Sequence, residues 1–207
     1  MATNEINSNA VKISGEIVSG FTYSYSKYGN DYYRVNLATS RLSGRLDYIP
    51  LMVSGQLIST QEDYRGYRVE VVGQLRSYNR HIKDRTHLEL SVFVNKINFI
   101  EDEYTDNNEI FLDGYICKAP QYRTTPLGRE ITDLILAVNR SNRESDYIPC
   151  IAWGKFARYI SRFEVGAPVS IKGRIQSREY TKKLSETEYE KRVAYEVSIN
   201  RLENGQK

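Results

Sequence analysis

Two aromatic residues and a group of cations in the second half of the chain have the types and spacing to hold a polyanion. Along residues 147–153, alternate side chains of an extended segment point to opposite faces. Ile148, Cys150 and Ala152 share one face and are small and apolar, suited to an interior. Tyr147, Ile151 and Trp153 share the other. An outward-facing Tyr and Trp require a cover. One cover is a nucleobase, whose stacking is worth about 1–3 kcal/mol whatever the sequence. The other is a partner subunit. Arg123 and Arg129 precede this segment in a loop, Arg140 and Arg143 follow the strand before it, Lys155 follows Trp153, and Arg174 and Arg178 leave the strand after it. Each alone reads as a solvated charge. Seven around one aromatic face form a positive track suited to a phosphate backbone.

The elements that must position these residues are written twice. Residues 15–55 laid over 114–154, a shift of 99, give 12 identities in 41 positions without a gap. They include Gly15 with Gly114, Arg41 with Arg140, and Asp47-Tyr48-Ile49-Pro50 with Asp146-Tyr147-Ile148-Pro149. After one inserted residue, Gly73 matches Gly173 and Ser77 matches Ser177. A tandem repeat of one domain follows. Alternating apolar residues predict strands near 11–17, 33–37, 48–53, 69–75 and 88–94 in the first copy. The second copy repeats them at 110–116, 131–138, 147–153, 169–175 and 194–199. Phe156, Tyr159, Ile160 and Phe163 have the spacing of a short amphipathic helix; the matching segment 56–68 is poorer in apolar residues. The fold expected is all-β: two tandem OB-fold barrels, five-stranded Greek keys, each with a short helix between strands 3 and 4. The domains would be residues 7–100 and 109–203, joined by an acidic linker at 101–108 too short to let them tumble independently. The loop at 178–192, with Tyr180, Lys182 and Lys183, is expected to be a mobile hairpin that orders on its ligand.

The 207 residues suffice for two domains of this size. No apolar run approaches the roughly 18 residues that span a bilayer, and no signal segment opens the chain, so a cytoplasmic protein is expected. Cys117 and Cys150 align with Val18 and Leu51, which predicts buried, inert thiols. His81 and His87 stand apart from acidic or cysteine clusters, so neither a metal nor another cofactor is expected. The net charge of +3 hides a segment with Glu101, Asp102, Glu103, Asp106 and Glu109; the remainder is then +8. There is no nucleophile–base pair and no phosphate-cradling glycine loop. Asp47 and Asp146, each just before a Tyr, are expected to fix strand-end geometry, and the chain is expected not to be an enzyme.

Four runs in the second copy resemble the bacterial single-stranded DNA-binding protein family. They are Pro120-x-x-Arg123-x-Thr125-x-x-Gly128, Leu136-Ala137-Val138-Asn139-Arg140, Asp146-Tyr147-Ile148-Pro149-Cys150-x-Ala152-Trp153-Gly154-Lys155, and Gly173-Arg174-Ile175-Gln176-Ser177-Arg178. The resemblance implies an OB-fold that coats single-stranded DNA in replication, repair and recombination, in a nucleoid-associated role. It implies stacking roles for Tyr147, Trp153 and Tyr180. The family's further stacking position falls near Asn142, which cannot stack. The first copy keeps Arg41 and Tyr48 but has Ser54 opposite Trp153; Tyr78, Arg76, Arg80 and Lys83 are its candidate contacts. Two domains per chain imply a homodimer with four barrels. The chain ends without the acidic tip with which the family recruits other proteins. The alternative is a protein-interaction OB module of a replication-restart (primosome) complex, with Trp153 and Tyr147 in a protein interface; oligosaccharide binding is a third option.

Overall fold

A computed structural model describes residues 8–82, 85–101, 105–183 and 188–203. The first half contains β1 (Asn9–Ile17), β2 (Thr22–Lys27), β3 (Asn30–Ser40), β4 (Leu46–Ser54), β5 (Arg68–Ile82) and β6 (Arg85–Phe99). The second contains β7 (Asn108–Ile116), β8 (Gln121–Thr124), β9 (Glu130–Asn139), β10 (Ser145–Trp153), α1 (Lys155–Ile160), β11 (Pro168–Lys183) and β12 (Tyr189–Glu203). The fold is nearly all strand, with one short helix among the described residues.

In the first half β1 pairs with both β3 and β5, β3 with β4, β4 in parallel with β6, and β6 with β5. The pairings therefore close into a ring. The second half repeats them through β7, β9, β10, β12 and β11. Closure brings β1 against β3 where Gly15 lies. A Cβ at Gly15 would sit 2.0 Å from the Ala38 carbonyl oxygen, and one at Gly114 would sit 2.6 Å from that of Ala137. The same repeat position needs glycine for the same backbone approach.

The halves are joined by β1 and β7, which run antiparallel with Val11 opposite Ile110. These two residues are equivalent in the repeat, so the strand pairs with its own copy about a local twofold. The buried residues of both halves form one apolar cluster. The end of the acidic segment is also taken up in the joint. The Ser14 N–H donates to the Asn107 carbonyl and the Asn107 N–H to Ser14 Oγ, and Asp106 accepts from the Ser40 N–H at 2.7 Å and pairs with Arg68. Residues 102–104 of that segment lie outside the described residues.

The structure corrects the expected helices. α1 buries Ala157 and Ile160 under the second half, but residues 55–67 of the first form turns. That segment lacks apolar residues at helical spacing and carries Ser59, Thr60, Asp63 and Gly66. Ile58 is buried in the apolar core instead, and Tyr64 packs against Phe21, Tyr67 and Phe99. The fourth and fifth strands are also longer than expected. The hairpin expected at 178–192 is present, with its strands paired up to Lys183 opposite Tyr189; residues 184–187 lie outside the described residues. Cys150 is buried, and burial pushes its thiol pKa up; Cys117 is half-buried rather than buried. Among the described residues no helix is long and apolar enough to cross a membrane.

Candidate nucleic-acid interface

Ile148, Cys150 and Ala152 of β10 point inward and are buried. Trp153, at the strand end, is half-buried and donates its indole N–H to Ser198 Oγ on β12 at 3.2 Å. Ile151 is buried as well, contrary to its outward parity. Trp153 and Ile151 line a groove of about 470 Å³ whose cationic lining comes from both halves. Arg123, Arg129, Arg174 and Arg178 come from the second half; Arg41 and Arg45 come from the loop of the first half. One carboxylate, Glu196, enters the same lining and accepts from Gln176 at 2.7 Å. Burial and the neighbouring Arg41 push the Arg174 pKa down, a sign of like charges held close.

The other expected residues are placed differently. Tyr180 stands in the adjoining groove with Pro149, His87 and Arg192, and the Arg178 guanidinium lies 5.7 Å from its ring centroid. Tyr147 is 46% exposed on the same outer face of β10 but outside the lining around Trp153. Lys155 is exposed at the start of α1, with its ammonium 5.1 Å from the Phe156 ring centroid. Arg143 is exposed in a turn with φ +68. Arg123 pairs with Asp133 at 2.7 Å, in solvent where such a pair is weak. Tyr48 is exposed on β4. Tyr78 on β5 shares a hydrogen bond of 2.6 Å with Ser91 and lines a separate groove on the first half. Lys83 lies outside the described residues.

Arg41, Arg140 and Arg76 turn out to be committed to carboxylates. Arg41 grips Asp47 through two hydrogen bonds of 2.6 and 2.7 Å. Arg140 grips Asp146 in the same bidentate way, and Arg76 reaches Asp146 from the other half at 3.0 Å. Asp47 also accepts the Ser177 backbone N–H at 2.7 Å, and Asp146 the Ser77 N–H at 2.6 Å. Ser177 Oγ accepts the Tyr48 N–H, and Ser77 Oγ the Tyr147 N–H. Each aspartate therefore pins its own half to the fourth strand of the other. Burial raises the pKa of both carboxyls, but the guanidinium and backbone hydrogen bonds outweigh it and hold both below the usual carboxylate range.

Sequence reasoning did not find Arg45, because its partner in the repeat is Glu144 and nothing along the chain shows that one half's loop enters the other's groove. It did not find the serine pins for the same reason, although the match of Ser77 with Ser177 was the available signal.

Residues 107–203 match the Single-strand binding protein family. The match lies in the second half of the chain. Over 80 residues the chain is 38% identical to single-stranded DNA-binding protein 2 of Listeria innocua and 35% identical to single-stranded DNA-binding protein A of Bacillus subtilis. Each match covers 35% of this chain, with 50% and 46% of the relative respectively, so the chain spans about half the length of the curated relatives it matches. Among solved structures, the wild-type single-stranded DNA binding protein from Thermus aquaticus superposes with a TM-score of 0.71 at 22% identity. That superposition covers 96% of this chain and 93% of the other, so the likeness in fold extends over both halves. The arginines around Trp153 thus lie within the family-matched half, except for Arg41 and Arg45.

Proposed function

We propose that this chain binds single-stranded DNA without sequence preference, as a non-enzymatic coat in replication, repair and recombination. In this reading residues 7–100 and 109–203 are two OB barrels, and bases stack on Trp153, Tyr147 and Tyr180 while arginines neutralise phosphates. The observation that carries it is the groove around Trp153, where six arginine side chains from both halves surround one partly exposed indole. Such a groove is a phosphate track with a stacking platform. The relatives are single-stranded DNA-binding proteins, which supplies the ligand of this reading. Arg41 and Arg140 enter as buttresses: Arg41 borders the site, and the hydrogen bonds of both hold the halves together. Tyr48 and Tyr78 are the corresponding contacts of the first half. A homodimer with four barrels and association with the nucleoid complete the proposal.

The test is a titration with oligo-dT while following the emission of Trp153, the single tryptophan, at two salt concentrations. Strong quenching that weakens with salt and is absent with duplex DNA is the expected result. An indole that stays unquenched at low salt would refute base stacking at Trp153.

A further inference from the structure

The first half carries a face that the groove around Trp153 does not explain. Its β2 residues are exposed throughout, and two of them, Tyr23 and Tyr25, are tyrosines. The Tyr25 ring stacks on Tyr32 with centroids 4.9 Å apart, and Tyr32 leans on Phe93 at 5.3 Å. Tyr25 remains 38% exposed at the outer end of this row. It lines a groove of about 610 Å³ with Tyr23, Tyr78, Asn79, Arg34 and Glu89.

Register shows how this face relates to the other half. Trp153 lies opposite Ile131, and Ser198 is the β12 neighbour of Ile151. The equivalent first-half positions hold Ser54 opposite Tyr32, with Phe93 beside Met52. The platform has therefore moved from β4 to the strands on either side of it, and one ring has become two. Four of the charges have gone: Arg123, Arg129, Arg174 and Arg178 correspond to Ser24, Asn30, Gln74 and Tyr78. Arg34, the cation in this groove's lining, is paired with Glu89 at 2.7 Å, and Arg140 of the other half acts on the Tyr25 phenol from outside that lining. Cross-strand tyrosine pairs stabilise a hairpin, but that role does not require a half-exposed ring lining a groove.

The two grooves are also connected. From Trp153 and Ile151 the outer face of β10 leads to Pro149, beside Tyr180. Tyr180, His87, Arg192 and Tyr195 then line a saddle between the halves. The saddle shares Arg34 and Glu89 with the tyrosine groove.

We infer that the Tyr25–Tyr32–Phe93 row is a second nucleobase-stacking site, which takes bases of the same strand after it has crossed the saddle, with little help from phosphate contacts. This rests on the reading of the arginine groove as a strand-binding site. Its consequence is a division of labour: binding at the arginine groove weakens with salt, and binding at the tyrosine groove does not.

The test uses the full chain with Tyr25→Ala, and with Tyr25→Phe as the control that keeps the ring. Trp153 emission reports the second half by itself. At 1 M salt, Tyr25→Ala is expected to weaken binding of dT long enough to reach both grooves by about 5- to 150-fold, the loss of one stacked base. Tyr25→Phe and short dT confined to the arginine groove should be unaffected, and the melting temperatures of the two variants should agree. Oligonucleotides carrying 5-iododeoxyuridine should cross-link to Tyr25 or Tyr78. Quenching of Trp153 with unchanged high-salt affinity and no such cross-link would overturn the inference. So would a change in sedimentation with unaltered DNA affinity, because a second copy of the chain would then cover the row. Cross-links at Tyr25 with a silent Trp153 would support this site while refuting stacking at the other; neither signal would refute both.

Discussion

Position for position, the groove around Trp153 and its counterpart on the first half exchange charge for aromatic surface. Arg123, Arg129, Arg174 and Arg178 face Ser24, Asn30, Gln74 and Tyr78, and Arg45, lent across the joint, has Glu144 as its reciprocal. The joint itself has hardly changed. Arg41 with Asp47 and Arg140 with Asp146 form the same bidentate grip, and each aspartate reaches the matching serine N–H of the other half. A duplicated domain is thus held by its mutual contacts while its outward surface is free to diverge. The constraint is physical, since a buried carboxylate tolerates the loss of its partner poorly, whereas a solvated arginine can be replaced at little cost in stability.

The largest effects should come from the joint and should be nearly symmetric. Asp47→Ala and Asp146→Ala each strand buried or half-buried guanidinium and N–H groups, and each should cost about 3–5 kcal/mol in urea unfolding. A large loss for one and none for the other would break the symmetry argued above. The same pins set an acid limit. Both carboxyls have folded-state pKa values below the ordinary value, so their contribution is present above about pH 4 and is lost as pH falls through the folded pKa. Unfolding midpoints followed from pH 7 to pH 3 should show this decline.

Next in size, the grooves should respond unequally. Trp153→Ala should lose about 1–3 kcal/mol of oligo-dT affinity, whereas Ser54→Ala at the equivalent position should change it by less than about 0.5 kcal/mol. Equal responses in a filter-binding assay would mean that the repeat position, not the ring, matters. The smallest effect concerns salt. Arg174→Ala should reduce the slope of log K against log salt by about one unit, and Gln74→Arg should raise it by about as much. A slope unchanged by Arg174→Ala would remove that residue from the phosphate track.

Much of this architecture was legible in the chain. Gly15 and Gly114 survive in both copies because closure forbids a Cβ there, and identities of that kind expose a repeat. Parity along residues 147–153 placed Ile148, Cys150 and Ala152 inside. The ends of β5 and β6 were not legible: Asn79 to Ile82 pair with Arg85 to Leu88 in a run rich in polar residues, whose sequence carries weak apolar alternation. The expected helix over residues 56–68 failed because the repeat fixes strands and glycines, while the apolar core can be completed by any apolar group of sufficient volume. Arg45 and the serine pins escaped because alignment of two copies says what is equivalent and not what is adjacent.

One feature of the joint reaches beyond binding. Because β1 and β7 offer the same repeat position to each other at Val11 and Ile110, the edge through which one such domain would recruit a sister molecule is consumed within a single polypeptide. Dilution cannot separate the pair, and neither half can exchange its partner for another copy of itself. An unequal couple, one half cationic and one aromatic, is thereby delivered in fixed one-to-one proportion at any expression level, an outcome that two separately made subunits would reach only by mass action.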